Sequence, residues 1–301
     1  MISAGALGKV VVAGVGLIGG SFALASKRAG AVETVVGVGR GRPNLDAALE
    51  RGIIDRAYVL EDPWLAELAD ADLLMLATPV GQMAGMFAAI APHLGASTVV
   101  TDAGSTKQNV VAAARTHLAS ALPRFVPGHP IAGTEHSGAA AAFESLFRDK
   151  NVLLTPLAET LPTAIELVEE CWRVCGARVT HLDPSRHDEL FAAVSHLPHA
   201  LAFALVRELA ARRDGDEYFR YAASGFRDFT RLAASDPEMW RDICMANHDA
   251  LRRELAAYRA ELDRIDRLLA TGDGDALNAL FAAARDARRA WLEAHRGNEE
   301  V

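Results

Sequence analysis

The sequence predicts an α/β fold in which a doubly wound parallel sheet is followed by an all-helical C-terminal domain. Three observations predict it. Short, continuously apolar β-branched runs alternate with helical patterns through the first part of the chain, as strands buried on both faces require. A glycine-rich turn joins the first such run to the first helical pattern. Beyond Asp183 the strand signal stops, and Ala/Leu/Arg/Glu segments with apolar residues at helical spacing take over.

The elements follow in order. Val10–Ala13 reads as a buried strand, Leu17–Arg28 as a helix ending at Gly30, and Thr34–Val38 as the next strand. Asn44–Arg51 is a helix closed by Gly52, which supplies the left-handed residue a helix end favours. Asp62-Pro63 has the form of an N-cap and a first-turn proline, opening a helix over Trp64–Ala69. Leu73–Ala77 is a strand stopped by Thr78-Pro79, and a helix follows to about Ala91. Thr98–Asp102 is a strand, Lys107 to Leu118 a helix, and Phe125-Val126 leads into Gly128-His129-Pro130. Asn151–Thr155 and Arg178–His181 are the last strand candidates. Helices are expected over Pro184–Arg212, Pro237–Ala270 and Asp275–His295. The expected boundary near residue 183 divides a domain 1–183 from a helical domain 184–301.

Composition narrows the function classes. The chain has 301 residues, half of them hydrophobic, enough for a large core without disulfides or structural metals. A net charge of −8 argues against a nucleic-acid partner, which usually meets a basic face. The apolar run Lys9–Gly20 carries four glycines and is too short for a membrane helix. No basic segment with a cleavage site opens the chain. The three cysteines, Cys171, Cys175 and Cys244, fit a reducing cytoplasm, where the first two read as small buried hydrophobes. A soluble, cytoplasmic protein without membrane or nucleic-acid partners is expected.

Gly14-x-Gly16-x-x-Gly19 lies between a strand and a helix, the context a dinucleotide-binding, Rossmann-type domain requires. The first glycine permits the turn, the second lets backbone approach a pyrophosphate, and the third lets helix and strand pack closely. Leu17 and Ile18 open the helix whose N-terminus attracts the phosphates. The second strand should end in a carboxylate for the adenosine ribose of NAD. Gly39 stands there instead, followed by Arg40 and Arg42, either of which can pair with a 2′-phosphate. The expected cofactor is therefore NADP in preference to NAD. Thr78 and Pro79, at the carboxyl edge of the sheet, are further cofactor-lining candidates.

Three segments carry candidate chemistry: Asp102–Lys107, Gly128–Glu135 and Ser195–His199. Oxidising an alcohol needs a base for the hydroxyl proton while hydride leaves carbon, and histidine, with an unperturbed pKa of ~6.5, suits this. His129 is placed for it on a Gly/Pro-fixed loop, and Ser105 either bonds the same hydroxyl or orients the imidazole. Lys107 reads equally as a ligand contact or a solvated lysine. His196 and His199 invite a metal, but no third ligand has matching spacing, so none is expected.

The glycine loop, Asp102-x-Gly104-Ser105-x-Lys107, Gly128-His129-Pro130, Ser195-His196-x-Pro198-His199 and Gly225-Phe226-Arg227-Asp228-Phe229-Thr230-Arg231 occur in this order. As an ordered set they resemble the prephenate/arogenate dehydrogenase family over roughly residues 8 to 270. The resemblance implies oxidative decarboxylation of a cyclohexadienyl acid with hydride transfer to NAD(P), in tyrosine biosynthesis. It implies that His129 bonds the ring hydroxyl with Ser105 as partner, and that Arg231 holds a substrate carboxylate, for which a planar guanidinium is suited. His196, His199 and Trp240 match pocket residues, and Glu135 an acid near the pocket entrance. Arg227 stands where lysine is familiar, keeping charge but not geometry. A carboxylate at Glu135 that reaches the side chain leans toward the amine of arogenate over the ketone of prephenate. The resemblance also implies a homodimer formed through the helical half, in line with its broad apolar helix faces.

Two other readings compete. A β-hydroxyacid dehydrogenase or imine reductase would join similar domains but typically uses a lysine acid in the helical domain, and residues 184–301 contain none. A non-catalytic NADPH sensor would leave Ser105, His129 and Arg231 unexplained.

Overall fold

The computed structural model describes residues 7–134 and 136–294. The chain divides into two compact units, Met1–His248 and Asp249–Val301. In the first, strands β1 (Leu7–Ala13), β2 (Val32–Gly39), β3 (Arg56–Val59), β4 (Leu73–Leu76), β5 (Val99–Asp102) and β6 (Phe125–Val126) form one sheet in the order β3-β2-β1-β4-β5-β6. All its pairings are parallel. This order reverses between β1 and β4, and the crevice outside the carboxyl ends at that reversal is where open α/β sheets take ligands.

Helices α1 (Leu17–Arg28), α2 (Arg42–Glu50), α3 (Met83–Ile90), α4 (Gln108–His117) and α5 (Pro162–Val174) accompany the strands. Two apolar clusters contain residues that alternate along the strands. One joins Val10 and Val12 to Phe22, Phe147 and Trp172, and the other joins Val11 and Ala13 to Phe87, Val110 and Phe125. Trp172 meets Phe22 and Phe147 edge-on, with both pairs of ring centroids 5.0 Å apart. Cys171 and Cys175 lie buried in the first cluster, and burial pushes both thiols up to about 12, so they behave as inert apolar side chains.

Several expectations change here. The edge strand β3 was not expected. It is short and at least partly exposed along its whole length, so it lacks the apolar run of its neighbours. Trp64–Leu68 is a 3₁₀ turn rather than an α-helix, and Asp62 accepts the amide of Val59 instead of capping that turn. His129 does not sit on a loop. After Pro127 the chain enters β7 (Gly128–Pro130), which pairs antiparallel with β8 (Asn151–Leu154), itself parallel to β9 (Arg178–His181). This second, three-stranded sheet fixes the histidine by backbone pairing.

Beyond Asp183 the described chain is helical. Asp183 caps α6 (Pro184–Phe191) by accepting the amides of Ser185 and Arg186, a contact typically worth ~1 kcal/mol. α6 continues through a π-helical turn, Ala192–His196, into α7 (Leu197–Ala210). Pro198 has no N–H to donate, and the wider turn before it absorbs the register change. By length and composition alone, Pro184–Ala210 is apolar enough to cross a membrane. Yet it buries His187, Asp188 and His196, all hydrogen-bonded within the unit. Short helices α8 (Gly215–Tyr221) and α9 (Ser224–Thr230) precede α10 (Pro237–Ala246), which Asp236 caps at the amide of Met239. The second unit comprises most of α11 (His248–Thr271), a turn at Gly272 with φ +67°, and α12 (Gly274–Ala294). Leu262, Leu269, Phe281 and Trp291 are exposed on it.

Candidate active site

The glycine turn shows three different local demands. Gly14 has φ +100°, and a Cβ there would lie 2.4 Å from the carbonyl oxygen of Ala77. At Gly19 a Cβ would lie 2.3 Å from the carbonyl oxygen of Gly14, so this residue allows helix and strand to touch. Among the described residues a Cβ at Gly16 would meet nothing within 4 Å, and the N-cap Gly16 makes no side-chain bond to the start of α1. Open space over uncapped amides is what a pyrophosphate needs, so the residues present fit a dinucleotide. Leu17 and Ile18 begin α1 beside it.

Gly39 ends β2 next to that turn, with Leu45 beneath it, and Arg40 is exposed. Arg42 lies in the first turn of α2 and pairs with Asp46 at 2.8 Å. Asn44 of the same helix donates to the carbonyl of Val15 at 2.7 Å and accepts the amide of Ala139 at 2.7 Å. Arg51, just past α2, donates to the carbonyls of Ala139 and Ala142. Thr78 and Pro79 follow β4 at the same sheet edge, where Ala77 touches Gly14.

One strand further along, the end of β5 holds a buried ion pair. Lys107, fully buried, donates through Nζ to Asp102 Oδ2 at 2.5 Å and to the carbonyl of Gly128. Asp102 also accepts the amides of Gly104 at 2.7 Å and Gly128 at 3.2 Å. Lys107 is thus neither solvated nor open to a ligand: it fastens the strand end to the start of β7. Burial holds its ammonium below the usual lysine range, against the pull of Asp102.

His129 extends from this staple. Its Nδ1 lies 2.8 Å from Nε2 of His187, and Nδ1 of His187 lies 2.8 Å from Asp188 Oδ1. Asp188 also accepts the amides of Lys107 at 2.7 Å and Gln108 at 2.9 Å, at the N-terminus of α4. Phe191 stacks on His187 with centroids 4.5 Å apart and lies 4.8 Å from His129. Burial first, then the neighbouring His187, Lys107 and His196, keeps His129 well below the ordinary histidine range. Among the described residues the imidazole partner of His129 is His187, not Ser105, which is half-buried in the turn after β5.

His196 and His199 join the same cluster. Asn247 donates to the main-chain carbonyl of Asp188 at 2.7 Å and lies 3.2 Å from His196 Nδ1. Among the described residues His196 Nε2 is buried without a hydrogen-bond partner, and burial pushes the ring down to about 4. His199 donates from Nδ1 to the carbonyl of Ser195 at 2.9 Å and stacks on Trp240, centroids 3.4 Å apart at 17°. Burial, together with the charge of Arg231, lowers His199. Arg231 and Arg227 are both exposed, on the turn Arg231–Ala234 and on α9 respectively. Glu135 lies outside the described residues. Among the described residues no three metal-ligating side chains converge.

His187, Asp188 and Asn247 are the site residues that sequence reasoning missed. The available signal was an adjacent His-Asp pair on a short, mostly polar helix, and later an Asn at the junction of α10 and α11.

Two family models match the chain: prephenate dehydrogenase, nucleotide-binding domain, over residues 22–181, and prephenate dehydrogenase, dimerization domain, over residues 183–283. The chain is 34% identical to a cyclohexadienyl dehydrogenase of Zymomonas mobilis, with 95% of this chain and 97% of that protein covered. It is 37% identical to a prephenate dehydrogenase of Bacillus subtilis, with 93% and 75% covered. Among solved structures it resembles prephenate dehydrogenase from A. aeolicus in complex with hydroxyphenyl propionate and NAD+, with a TM-score of 0.88, 34% identity, and 94% and 97% coverage. A nucleotide-binding sheet, a buried histidine cluster at its carboxyl edge and these relatives lead to one conclusion: this chain is a dehydrogenase that belongs to the prephenate dehydrogenase family.

Proposed function

We propose that the protein oxidatively decarboxylates prephenate, arogenate or both, giving 4-hydroxyphenylpyruvate or tyrosine, as a soluble cytoplasmic homodimer in tyrosine biosynthesis. The observation that carries this reading is the buried His129, its imidazole held well below the ordinary histidine range by burial, at the sheet edge that also bears the open glycine turn. Gly14, Gly16, Gly19, Leu17 and Ile18, with Thr78, Pro79 and Ser105 toward the reactive end, would hold a nicotinamide cofactor, which would supply the acceptor for the hydride of the hydroxyl-bearing ring carbon.

The side chains do the rest. His129 draws off the hydroxyl proton as the hydride departs, and Ser105, in the turn after β5, bonds the same hydroxyl. The carbonyl that forms is the electron sink for the opposite carbon–carboxylate bond, so carbon dioxide leaves and the ring becomes aromatic. Arg231, with Arg227, His196, His199 and Trp240, holds the carboxylates and orients the ring, so binding energy goes into alignment. His196 suits a neutral donor's role, because among the described residues its buried Nε2 meets no partner by hydrogen-bond geometry. The hydride carries away the two electrons of the oxidation, the pair from the broken carbon–carboxylate bond ends on the ring oxygen, which takes its proton back from His129 to give the phenol, and carbon dioxide accounts for the lost carbon.

NADP is the cofactor we favour. No carboxylate stands at Gly39, and with Arg42 engaged by Asp46, the exposed Arg40 is the group placed for a 2′-phosphate. The NAD+ bound by the A. aeolicus relative favours the other choice. A boundary near residue 183 is supported by the family models, which change there. The dimer is supported by the dimerization-domain match and by the exposed apolar residues on α11 and α12. The deciding experiment follows reduced nicotinamide formation with prephenate and arogenate, each with NAD and NADP. Turnover of either substrate is expected. Absence of turnover in all four combinations, with cofactor still bound, refutes the reaction. Repeating the comparison with Glu135→Gln tests the lean toward arogenate, which unchanged discrimination would remove.

A further inference from the structure

His187 and Asp188 have no place in the reaction as written above, yet both are almost wholly buried and bonded in series to His129. We propose that they act as positioning residues that fix the tautomer of His129: Asp188 takes the Nδ1 proton of His187, the bare Nε2 of His187 takes the Nδ1 proton of His129, and the lone pair of His129 is thereby presented at Nε2. This deepens the proposed function and rests on His129 being its base.

The direction of the chain of bonds is set from its far end. Both oxygens of Asp188 already accept backbone amides, from Lys107 and Gln108. With His187 as well, three N–H groups face this carboxyl, a surrounding that favours its ionised, accepting form. Burial works against that charge, but the bonds from His187 and the two amides outweigh it, and its pKa lies below the usual carboxylate range. His187 must therefore donate from Nδ1. One alternative remains, a His187 imidazolium donating from both nitrogens. That would place the proton of neutral His129 on Nε2 and leave it no lone pair toward substrate.

The surroundings disfavour the imidazolium. His187 is fully buried, Phe191 covers one face, and the ammonium of Lys107 is held next door by Asp102 and the Gly128 carbonyl. Burial lowers the ring against the opposing pull of Asp188. With His187 neutral, the order Asp188, His187, His129 is determined, and it begins at the rigid N-terminus of α4. The same arrangement stabilises the His129 cation as it forms, because its Nδ1 proton already has an acceptor.

The direct test is the imidazole spectrum of the full-length ¹⁵N-labelled protein near neutral pH, with and without NADP, with His129 and His187 signals assigned through His129→Asn and His187→Phe. The expected result is His129 protonated at Nδ1 with Nε2 bare; the Nε2-protonated form in wild type overturns the proposal. In kinetics, His187→Phe and Asp188→Asn are expected to lower kcat by about 10²- to 10⁴-fold, as loss of the correct tautomer does elsewhere. KM for substrate and the cofactor Kd should change little. His187→Gln, whose side-chain oxygen can still accept from His129, should recover part of the loss. Retention of kcat within two-fold in folded, cofactor-binding His187→Phe also overturns it. Wild type that turns over neither prephenate nor arogenate would refute the reaction, while the spectrum, which needs no turnover, still decides the tautomer.

Discussion

Replacing Gly14 and Gly16 separately by alanine should break the protein in two different ways, although both residues belong to one short turn. At Gly14 the added methyl meets the Ala77 carbonyl oxygen at 2.4 Å, on a backbone with φ +100°. The left-handed conformation costs an ordinary residue about 1–2 kcal/mol. Forcing two backbone segments apart adds roughly 1–3 kcal/mol. A total of about 2–5 kcal/mol should lower Tm by about 3–8 °C in a chain of this size. At Gly16 φ is −107° and the methyl points into open space, so Tm should stay within about a degree of wild type. That space is where a pyrophosphate would approach, and overlap worth roughly 1–3 kcal/mol there weakens Kd by about 5- to 150-fold. Thermal unfolding without cofactor, paired with calorimetric titration of NADP and NAD, separates the effects. Equal losses of Tm in the two variants, or unaltered cofactor affinity in Gly16→Ala, would refute the assignment of the turn.

Further outcomes follow from the buried charges. Lys107→Met leaves Asp102 without its cation in a site with no exposure, and should cost about 3–5 kcal/mol by urea denaturation; a loss under about 1 kcal/mol would show that the pair fastens nothing. Arg231→Ala should raise substrate KM strongly, with kcat/KM down by about 30- to 1,000-fold, while Tm holds because the residue is exposed; an unaltered KM removes it from the pocket. His129, His187 and His196 all have depressed values in the folded protein, so between pH 6.5 and the folded values the unfolded chain binds more protons. Stability should therefore be complete above pH 6.5 and fall progressively toward pH 4, the region to which His196 is pushed; a flat urea midpoint over that window contradicts the buried neutral cluster. For the same reason the acid limb of kcat should lie below pH 6.5, since His129 stays uncharged there.

Much of the frame could be read locally. Helix α1 occupies Leu17–Arg28 as expected, because its start is set by the glycine turn and its end by Gly30 with φ +66°. Strands β4 and β5 are legible because burial on both faces leaves continuous apolar runs. β3 is not, since a half-exposed edge lacks that pattern. In the site, the glycines and His129 could be picked out by their punctuation, the Gly and Pro residues around them. His187 and Asp188 could not, because their meaning lies in bonds to residues 58 and 81 positions away. Lys107 was ambiguous for the same reason: whether a lysine at a helix start is solvated or sealed depends on packing that no local spacing encodes. The π-helical turn before Pro198 likewise changes which face His196 and His199 share, where simple helical periodicity misleads.

The double attachment of α2 bears on how such a protein can be re-engineered. On the cofactor reading proposed above, Arg40 and the nearby Arg42 make the β2–α2 connection the cassette to exchange when nicotinamide preference is to be altered. The same helix, through Asn44, joins Val15 of the glycine turn to Ala139, and Arg51 at its end grips the carbonyls of Ala139 and Ala142. A transplanted cassette without Asn44 and Arg51 would release Ala139 and Ala142, so a change meant for cofactor choice would also loosen that anchorage. Grafts that keep those two side chains while varying residues 39–42 confine the alteration to the nucleotide end.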